Sequence, residues 1–366
     1  MSSEEEGDVI LVTGASGFVG QHVVKLLMER CRDVREVRAF DIRPFKWIKE
    51  LRVTETYVDL VHVRGDITQL SDIRKACRGV DAVVHTAGYV DVGSLPDMEK
   101  LKAINIVGAE NVLKACIDNH VTRLVYTSTQ DVVLGMEPIE NADESSVGIP
   151  NTFLYEGYAG TKYEAEKIIL KANSLILENG RKLKTCSLRP TTMYGEGDIY
   201  FLPPTLKASK QQGGVLMRIG DGKALFHASY VGNVAWAHIL ALQQLKRQRS
   251  EDDISGQACF ISDDTEPMNL FDFMEPFLQA RGFRLSRYHI PYWFMYIVAF
   301  IVEFLAWFLQ PFSKINFPIN RNVLHHMCTS CYFSYHGAKR YLNYSPLFSV
   351  EESMERTVRY VKRLRL

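Results

Sequence analysis

The chain has 366 residues, 46% of them hydrophobic, enough to bury more core than one average domain needs and too apolar for a disordered or fibrous protein. Its 43 Lys and Arg offset 43 Asp and Glu, so no net charge draws it to polyanions and a nucleic-acid partner is not expected. Seven scattered cysteines (Cys31, Cys77, Cys116, Cys186, Cys259, Cys328, Cys331) give no disulfide spacing and imply a reducing compartment, and Glu4, Glu5 and Glu6 stand where a secretory signal needs positive charge.

After an acidic tail at 1–8, the apolar run Val9–Val12 predicts a strand, and the spacing of Val23, Val24, Leu26, Leu27 and Met28 predicts a helix over Gln21–Arg30. Val37–Asp41 and Tyr57–Gly65 read as strands, Leu70–Cys77 as a helix, Ala82–Thr86 as a strand, Met98–Asn119 as a long helix and Leu124–Thr127 as a strand. Lys162–Glu178 continues with helical spacing and Lys184–Leu188 is a strand. Alternating strands and helices predict a doubly wound α/β (Rossmann) fold on a parallel sheet. Residues 9–195 form the expected dinucleotide-binding domain with the catalytic residues, and 196–366, where the alternation weakens, a smaller substrate-binding region.

From Ile290 to Leu309 only Pro291 and Glu303 interrupt an apolar run that contains eight aromatic residues. Twenty helical residues span ~30 Å, about one bilayer core, and that aromatic density suits the headgroup boundary. The expectation is contact with membrane lipid through 290–309, with a buried core helix as the alternative. Glu303 favours shallow, tilted or dimer-covered insertion, and basic residues on both flanks, Lys314 among them, give no orientation.

Thr13-Gly14-Ala15-Ser16-Gly17-Phe18-Val19-Gly20 joins the first strand to the first helix. In such a motif Gly14 allows the tight turn, Gly17 brings backbone amides to a pyrophosphate, and Gly20 lets the helix approach the sheet. Asp41, 21 residues beyond Gly20 at a strand end, is placed to accept bonds from ribose hydroxyls, which favours NAD; the alternative is an ordinary turn residue, and Arg43 could tolerate a 2′-phosphate. Asp66 with Ile67 is a candidate for the adenine edge or else a solvated turn. His85-Thr86-Ala87-Gly88 places small residues where a dinucleotide would lie flat.

The chain also carries Asn105-Ile106-Val107-Gly108, Tyr126-Thr127-Ser128-Thr129, Tyr158-Ala159-Gly160-Thr161-Lys162, Leu188–Gly195 and Tyr230–His238. In this order, over roughly residues 8 to 360, the motifs resemble those of extended short-chain dehydrogenases, and within them the 3β-hydroxysteroid dehydrogenase/Δ5-Δ4 isomerase family, including its branch acting on C27 sterols. The resemblance implies NAD, a steroid or sterol substrate, oxidation of a 3β-hydroxyl, a possible isomerisation of the ring double bond, and the endoplasmic reticulum membrane, with the mitochondrial membrane as a second location. A homodimer is compatible with it.

Oxidation of a secondary alcohol needs a base for the hydroxyl proton, and a tyrosine near pKa 10 serves only beside a fixed positive charge. Tyr-x-x-x-Lys occurs at Tyr158/Lys162, Tyr163/Lys167 and Tyr335/Lys339; its context selects the first pair. Family logic gives Thr129, where serine is usual, the hydroxyl that holds the substrate oxygen, with Ser128 as second choice. Asn105 would hold a relay water from Lys162, or simply make a helix-to-helix hydrogen bond. His325, His326, Cys328 and Cys331 are too close together to surround a metal, and none is expected. Rival readings are an extended dehydrogenase acting on a sterol carboxylate or a nucleotide sugar, and a non-catalytic NAD-binding sensor or scaffold.

Overall fold

The computed structural model describes residues 7–247, 253–309 and 320–366; Glu4–Glu6 and Lys314 lie outside them. The first half runs β1 (Asp8–Thr13), α1 (Phe18–Arg30), β2 (Val34–Asp41), β3 (Asp59–Arg64), α2 (Leu70–Ala76) and β4 (Ala82–His85). The expected long helix follows as α3 (Met98–Leu101), a π-helical stretch (Lys102–Val107) and α4 (Gly108–Asp118). Next come β5 (Arg123–Thr127), β6 (Ile139–Ala142), α5 (Glu156–Lys171), β7 (Lys184–Pro190) and β8 (Thr192–Tyr194).

The second half holds α6 (Leu202–Gln211), β9 (Val215–Ile219), β10 (Ala228–Tyr230), α7 (Val231–Lys246), β11 (Ala258–Ile261), α8 (Leu270–Gln279) and β12 (Arg284–Ile290). It closes with α9 (Tyr292–Leu309), α10 (Arg321–Cys328), β13 (Cys331–Phe333), α11 (His336–Leu342) and α12 (Val350–Arg363).

Seven strands form one sheet in the order β11-β7-β5-β4-β1-β2-β3, and every neighbouring pair is parallel. Alternation along each strand divides the core: Ile10 and Val12 join Val84, Val125 and Leu188 under α1 and α7, whereas Val9 and Leu11 join Phe40, Val83 and Leu124 under α2, α4 and α5. The expected doubly wound sheet is therefore present. The division at 195 is less clean, because β11 extends the sheet and α7 packs on α1 from beyond it.

The helix expected over 162–178 runs instead over Glu156–Lys171. It begins earlier because Glu156 lies in its first turn and accepts from the Phe153 amide at 3.0 Å. It stops earlier because Ser174 takes φ 67° and the chain closes a turn with Ile176 bridged to Lys182.

α9 lies on the outside, with only Ala299 and Ala306 buried, so the core-helix alternative for 290–309 does not hold. Tyr292, Met295, Ala299, Glu303 and Ala306 share one helical stripe; the first two pack against the core together with Ala299. Trp293, Phe300, Phe304, Trp307 and Phe308 are exposed. Glu303 accepts from the Arg321 amide and from its guanidinium Nε, both at 2.7 Å, and Arg321 also stands over the Phe300 ring. The carboxylate that looked costly in lipid is thus paired on the protein side of the helix.

Candidate active site

The site builds along the carboxyl edge of the sheet, at the reversal of strand order between β1 and β4. After β1, Gly14 takes φ +68°, and a Cβ there would stand 2.7 Å from the Ala87 backbone beyond β4. The Gly17 amide donates to the Gly14 carbonyl at 2.8 Å. A Cβ on Gly20 would lie 2.2 Å from that same carbonyl, so turn and helix close only without side chains. Phe18 and Val19 open α1, whose N-terminus carries no side-chain cap, leaving its first amides and dipole for an anion.

Buried Asp41, at the end of β2, accepts from the Ser16 amide at 3.0 Å and from the Arg43 amide at 2.9 Å. The loop thereby fixes a negative charge beside the cradle, suited to hydroxyls and repulsive to an added phosphate, while the largely exposed Arg43 side chain reaches it only at 3.4 Å. Asp66 behaves as a turn residue, its Oδ1 accepting from the Thr68 amide at 2.8 Å. Ile67 is buried and abuts Gly108, where a Cβ would stand 2.6 Å from its Cδ1. Thr86 donates through Oγ1 to the Thr13 carbonyl at 2.7 Å, tying the ends of β4 and β1 together. A glycine cradle at an uncapped helix terminus beside a fixed carboxylate fits the phosphates and ribose of NAD.

Gly88 links this cradle to the catalytic candidates, since a Cβ on it would come 3.6 Å from Asn105 Oδ1 and 3.8 Å from Lys162 Nζ. Because α5 begins at Glu156, Tyr158 and Lys162 sit one turn apart on the same helix, with Lys162 buried. The Lys162 ammonium donates to the Thr127 carbonyl at 2.6 Å and lies 4.3 Å above the Tyr126 ring. Burial pulls it down to about 7, and the Glu166 carboxylate opposes that fall. Glu166 is itself held by Arg189 and by Ser187 Oγ at 2.9 Å, which fastens α5 to β7.

Thr129 lies near enough to the Tyr158 phenol to favour its ionised form, while its own hydrogen bonds run to Asp131. The phenol itself is a correction. Burial, then the Asp131 carboxylate, then Tyr200 push Tyr158 above the usual tyrosine range, and Thr129 only partly opposes them. The described residues alone do not produce the lowering expected from Lys162, whose charge is turned towards Thr127 and Tyr126.

Asn105 sits in the π-helical stretch, a distortion that often marks functional sites. Its amide donates to the Tyr89 carbonyl (3.0 Å) and to Thr161 Oγ1 (3.1 Å), and its oxygen accepts from the Tyr89 amide (2.8 Å). Both donors are thus taken up by the Tyr89 backbone and by the helix-to-helix bond, while Oδ1 keeps a second acceptor site. The Ser128 hydroxyl is buried without a partner among the described residues. Two buried histidines flank the site: His85 bonds Thr13 Oγ1 at 2.7 Å and His238 bonds Thr127 Oγ1 at 2.8 Å. Burial brings them to about 3 and about 4, leaving both neutral at physiological pH.

Sequence reading missed Asp131. Its Oδ2 accepts from Thr129 Oγ1 at 3.1 Å, while its amide donates back to that oxygen at 3.2 Å. The available signal was the Thr-x-Asp spacing after a strand, a turn pattern that also occurs without chemistry.

Against known proteins, residues 11–292 match the model of the 3-beta hydroxysteroid dehydrogenase/isomerase family. The chain is 34% identical to mouse 3 beta-hydroxysteroid dehydrogenase type 7 over 365 residues, covering 97% of this chain and 95% of the mouse protein. It is 33% identical to the human protein of that name over 376 residues, 99% of this chain and 97% of the relative. Among solved structures, UDP-glucose 4-epimerase from Thermus thermophilus in complex with NAD superposes with a TM-score of 0.66 at 21% identity, covering 98% of this chain and 100% of that one, a likeness of fold. The near full-length match to named relatives, on a sheet whose carboxyl edge gathers Tyr158, Lys162 and Thr129, leads to one conclusion: this chain belongs to the 3-beta hydroxysteroid dehydrogenase/isomerase family.

Proposed function

We propose that the protein oxidises the 3β-hydroxyl of a steroid or sterol to the 3-ketone and shifts the ring double bond from Δ5 to Δ4, with NAD as its dinucleotide. The observation that carries this reading is the placing of Tyr158 and Lys162 one turn apart on α5, near Thr129 and at the edge of a glycine cradle that fits a dinucleotide, in a chain of this family. NAD, when bound, supplies the hydride acceptor. Gly14, Gly17 and the first amides of α1 would hold its phosphates, Asp41 its ribose, and Lys162 the hydroxyls nearest Gly88.

On the substrate side, Tyr158 Oη takes the hydroxyl proton as general base, and Thr129 Oγ1 fixes the substrate oxygen next to it. Positioning relies on α5, which Glu166 ties to β7, and on Asn105, which ties the Tyr89 backbone to α5. The test is incubation of the purified protein in its membranes with NAD and a panel of 3β-hydroxy sterols, sterol acids and UDP-sugars. NADH and a conjugated 3-ketone, absorbing near 240 nm, should form from the sterols alone. Oxidation confined to a sterol acid or UDP-sugar would overturn the reading.

α9 is long and apolar enough to cross a membrane, and its outward aromatic face supports lipid contact, with the endoplasmic reticulum as the proposed location. Burying one such side chain contributes ~1.5–3 kcal/mol, so replacing Trp293, Phe300, Phe304 and Trp307 together by Gln removes on the order of 6 kcal/mol or more from partitioning. The variant is expected in the supernatant of vesicle sedimentation with unchanged dehydrogenase activity towards a detergent-solubilised sterol. Continued sedimentation with vesicles would show that lipid contact lies elsewhere.

A further inference from the structure

Thr129 has one hydroxyl proton and two neighbours that could receive it. It donates to Asp131 Oδ2 at 3.1 Å, and the Tyr158 phenol, whose ionised form Thr129 favours, is the other group nearby. A bond to an ionised carboxylate is roughly twice as strong as one between neutral groups, so the carboxylate holds that proton whenever it is charged. The Asp131 amide, donating to Thr129 Oγ1 at 3.2 Å, keeps the two residues in register whichever way the proton points.

We propose that Asp131 is a positioning residue that sets the polarity of the Thr129 hydroxyl. With the carboxylate charged, Thr129 has one free lone pair and no proton to offer a substrate oxygen; with the carboxyl protonated, Asp131 donates to Thr129, whose hydroxyl then donates to a ketone oxygen. The alcohol carries a proton to give and the ketone none, so one site would prefer one or the other according to the charge on a single side chain. This rests on the dehydrogenase reading above and adds to it a discrimination between substrate and product.

The surroundings suit such a role. The groups facing Asp131 are Tyr155 and Tyr158 at the start of α5 and Cys331 on β13, and burial pushes all three upward, so they stay neutral. His326, which bonds the Tyr155 hydroxyl at 2.9 Å, is brought down to about 4 and is neutral as well. Burial raises the Asp131 carboxyl to about 6, with the Thr129 bond opposing the rise. Lys162 is the other group in the site that titrates near neutrality, and comparing variants that all retain it separates its effect.

The test uses non-reacting complexes: a 3-keto steroid bound with NAD and a 3β-hydroxy steroid bound with NADH, titrated from pH 5 to pH 8. In the wild-type protein the preference for the alcohol over the ketone should rise about tenfold across this range. Thr129→Ser should keep the slope, and both Asp131→Asn and Asp131→Ala should flatten it, with ketone binding independent of pH. Asp131→Asn preserves shape, so it reports even where the alanine variant folds poorly. An equal slope in the wild-type protein and Asp131→Asn overturns the role of Asp131 while leaving the dehydrogenase reading intact; no oxidation of any 3β-hydroxy steroid removes both.

Discussion

Replacing Tyr158 by phenylalanine is expected to lower turnover of a 3β-hydroxy steroid about a thousandfold, within the 100- to 10,000-fold range of general acid–base contributions. The substitution removes one oxygen and keeps the ring, which packs beside Val132, Val133 and Leu134 on the flank of the site. Folding and the glycine cradle should therefore be untouched. Dissociation of NAD, followed by quenching of intrinsic fluorescence, should stay within about twofold, so that the loss falls on kcat. If instead Tyr158→Phe retains a tenth or more of wild-type turnover, another group removes the proton and the assignment of the base is wrong. Because burial and Asp131 push the phenol upward, the oxygen is protonated in the resting protein. To act as a base the oxygen must first be ionised, and Lys162, one turn along α5, is the positive charge that would favour that form.

The second large effect is expected at Gly20. An alanine methyl there would stand 2.2 Å from the Gly14 carbonyl and 2.8 Å from Ala15 Cα, and both are backbone atoms. No rotamer change relieves such a contact, so either α1 moves off the sheet or the Gly14 turn opens. Overpacking typically costs about 1–3 kcal/mol, and here the displaced atoms also form the phosphate cradle. Gly20→Ala should lower the melting temperature by several degrees and weaken NAD binding by more than a hundredfold. Gly148→Ala is the control, since nothing lies within 4 Å of a Cβ there. Equal NAD affinity in the two variants would mean that the cradle does not hold the dinucleotide.

Much of this architecture was legible because the parallel sheet writes itself as short apolar runs, and β1, β2, β4, β5 and β7 start or end within a few residues of their expected limits. The glycine motif was legible because Gly14 and Gly20 meet steric demands that only glycine satisfies. The helix bearing Tyr158 was displaced in the sequence reading: Gly157 and Gly160 weaken the local helical signal where the helix begins, while Leu175, Ile176 and Leu177 prolong the apolar spacing into a turn. The π-helical stretch around Asn105 leaves no compositional trace. Asp131 escaped notice because its significance is relational: only in three dimensions do one hydroxyl and two oxygens compete for one proton. Glu303 misled for the same reason, since Arg321 follows it on a different helix.

The order of the central sheet also bears on how the chain is made. β7 is complete at Pro190, yet the strand that covers its outer edge is β11, which begins only at Ala258. Until that stretch has left the ribosome, a row of unpaired amides and carbonyls stays open on the nascent sheet, an invitation to pair with another chain. A polypeptide that terminates early in this interval keeps the glycine turn and the Tyr158 helix but retains a bare edge, so aggregation rather than partial activity is its natural fate.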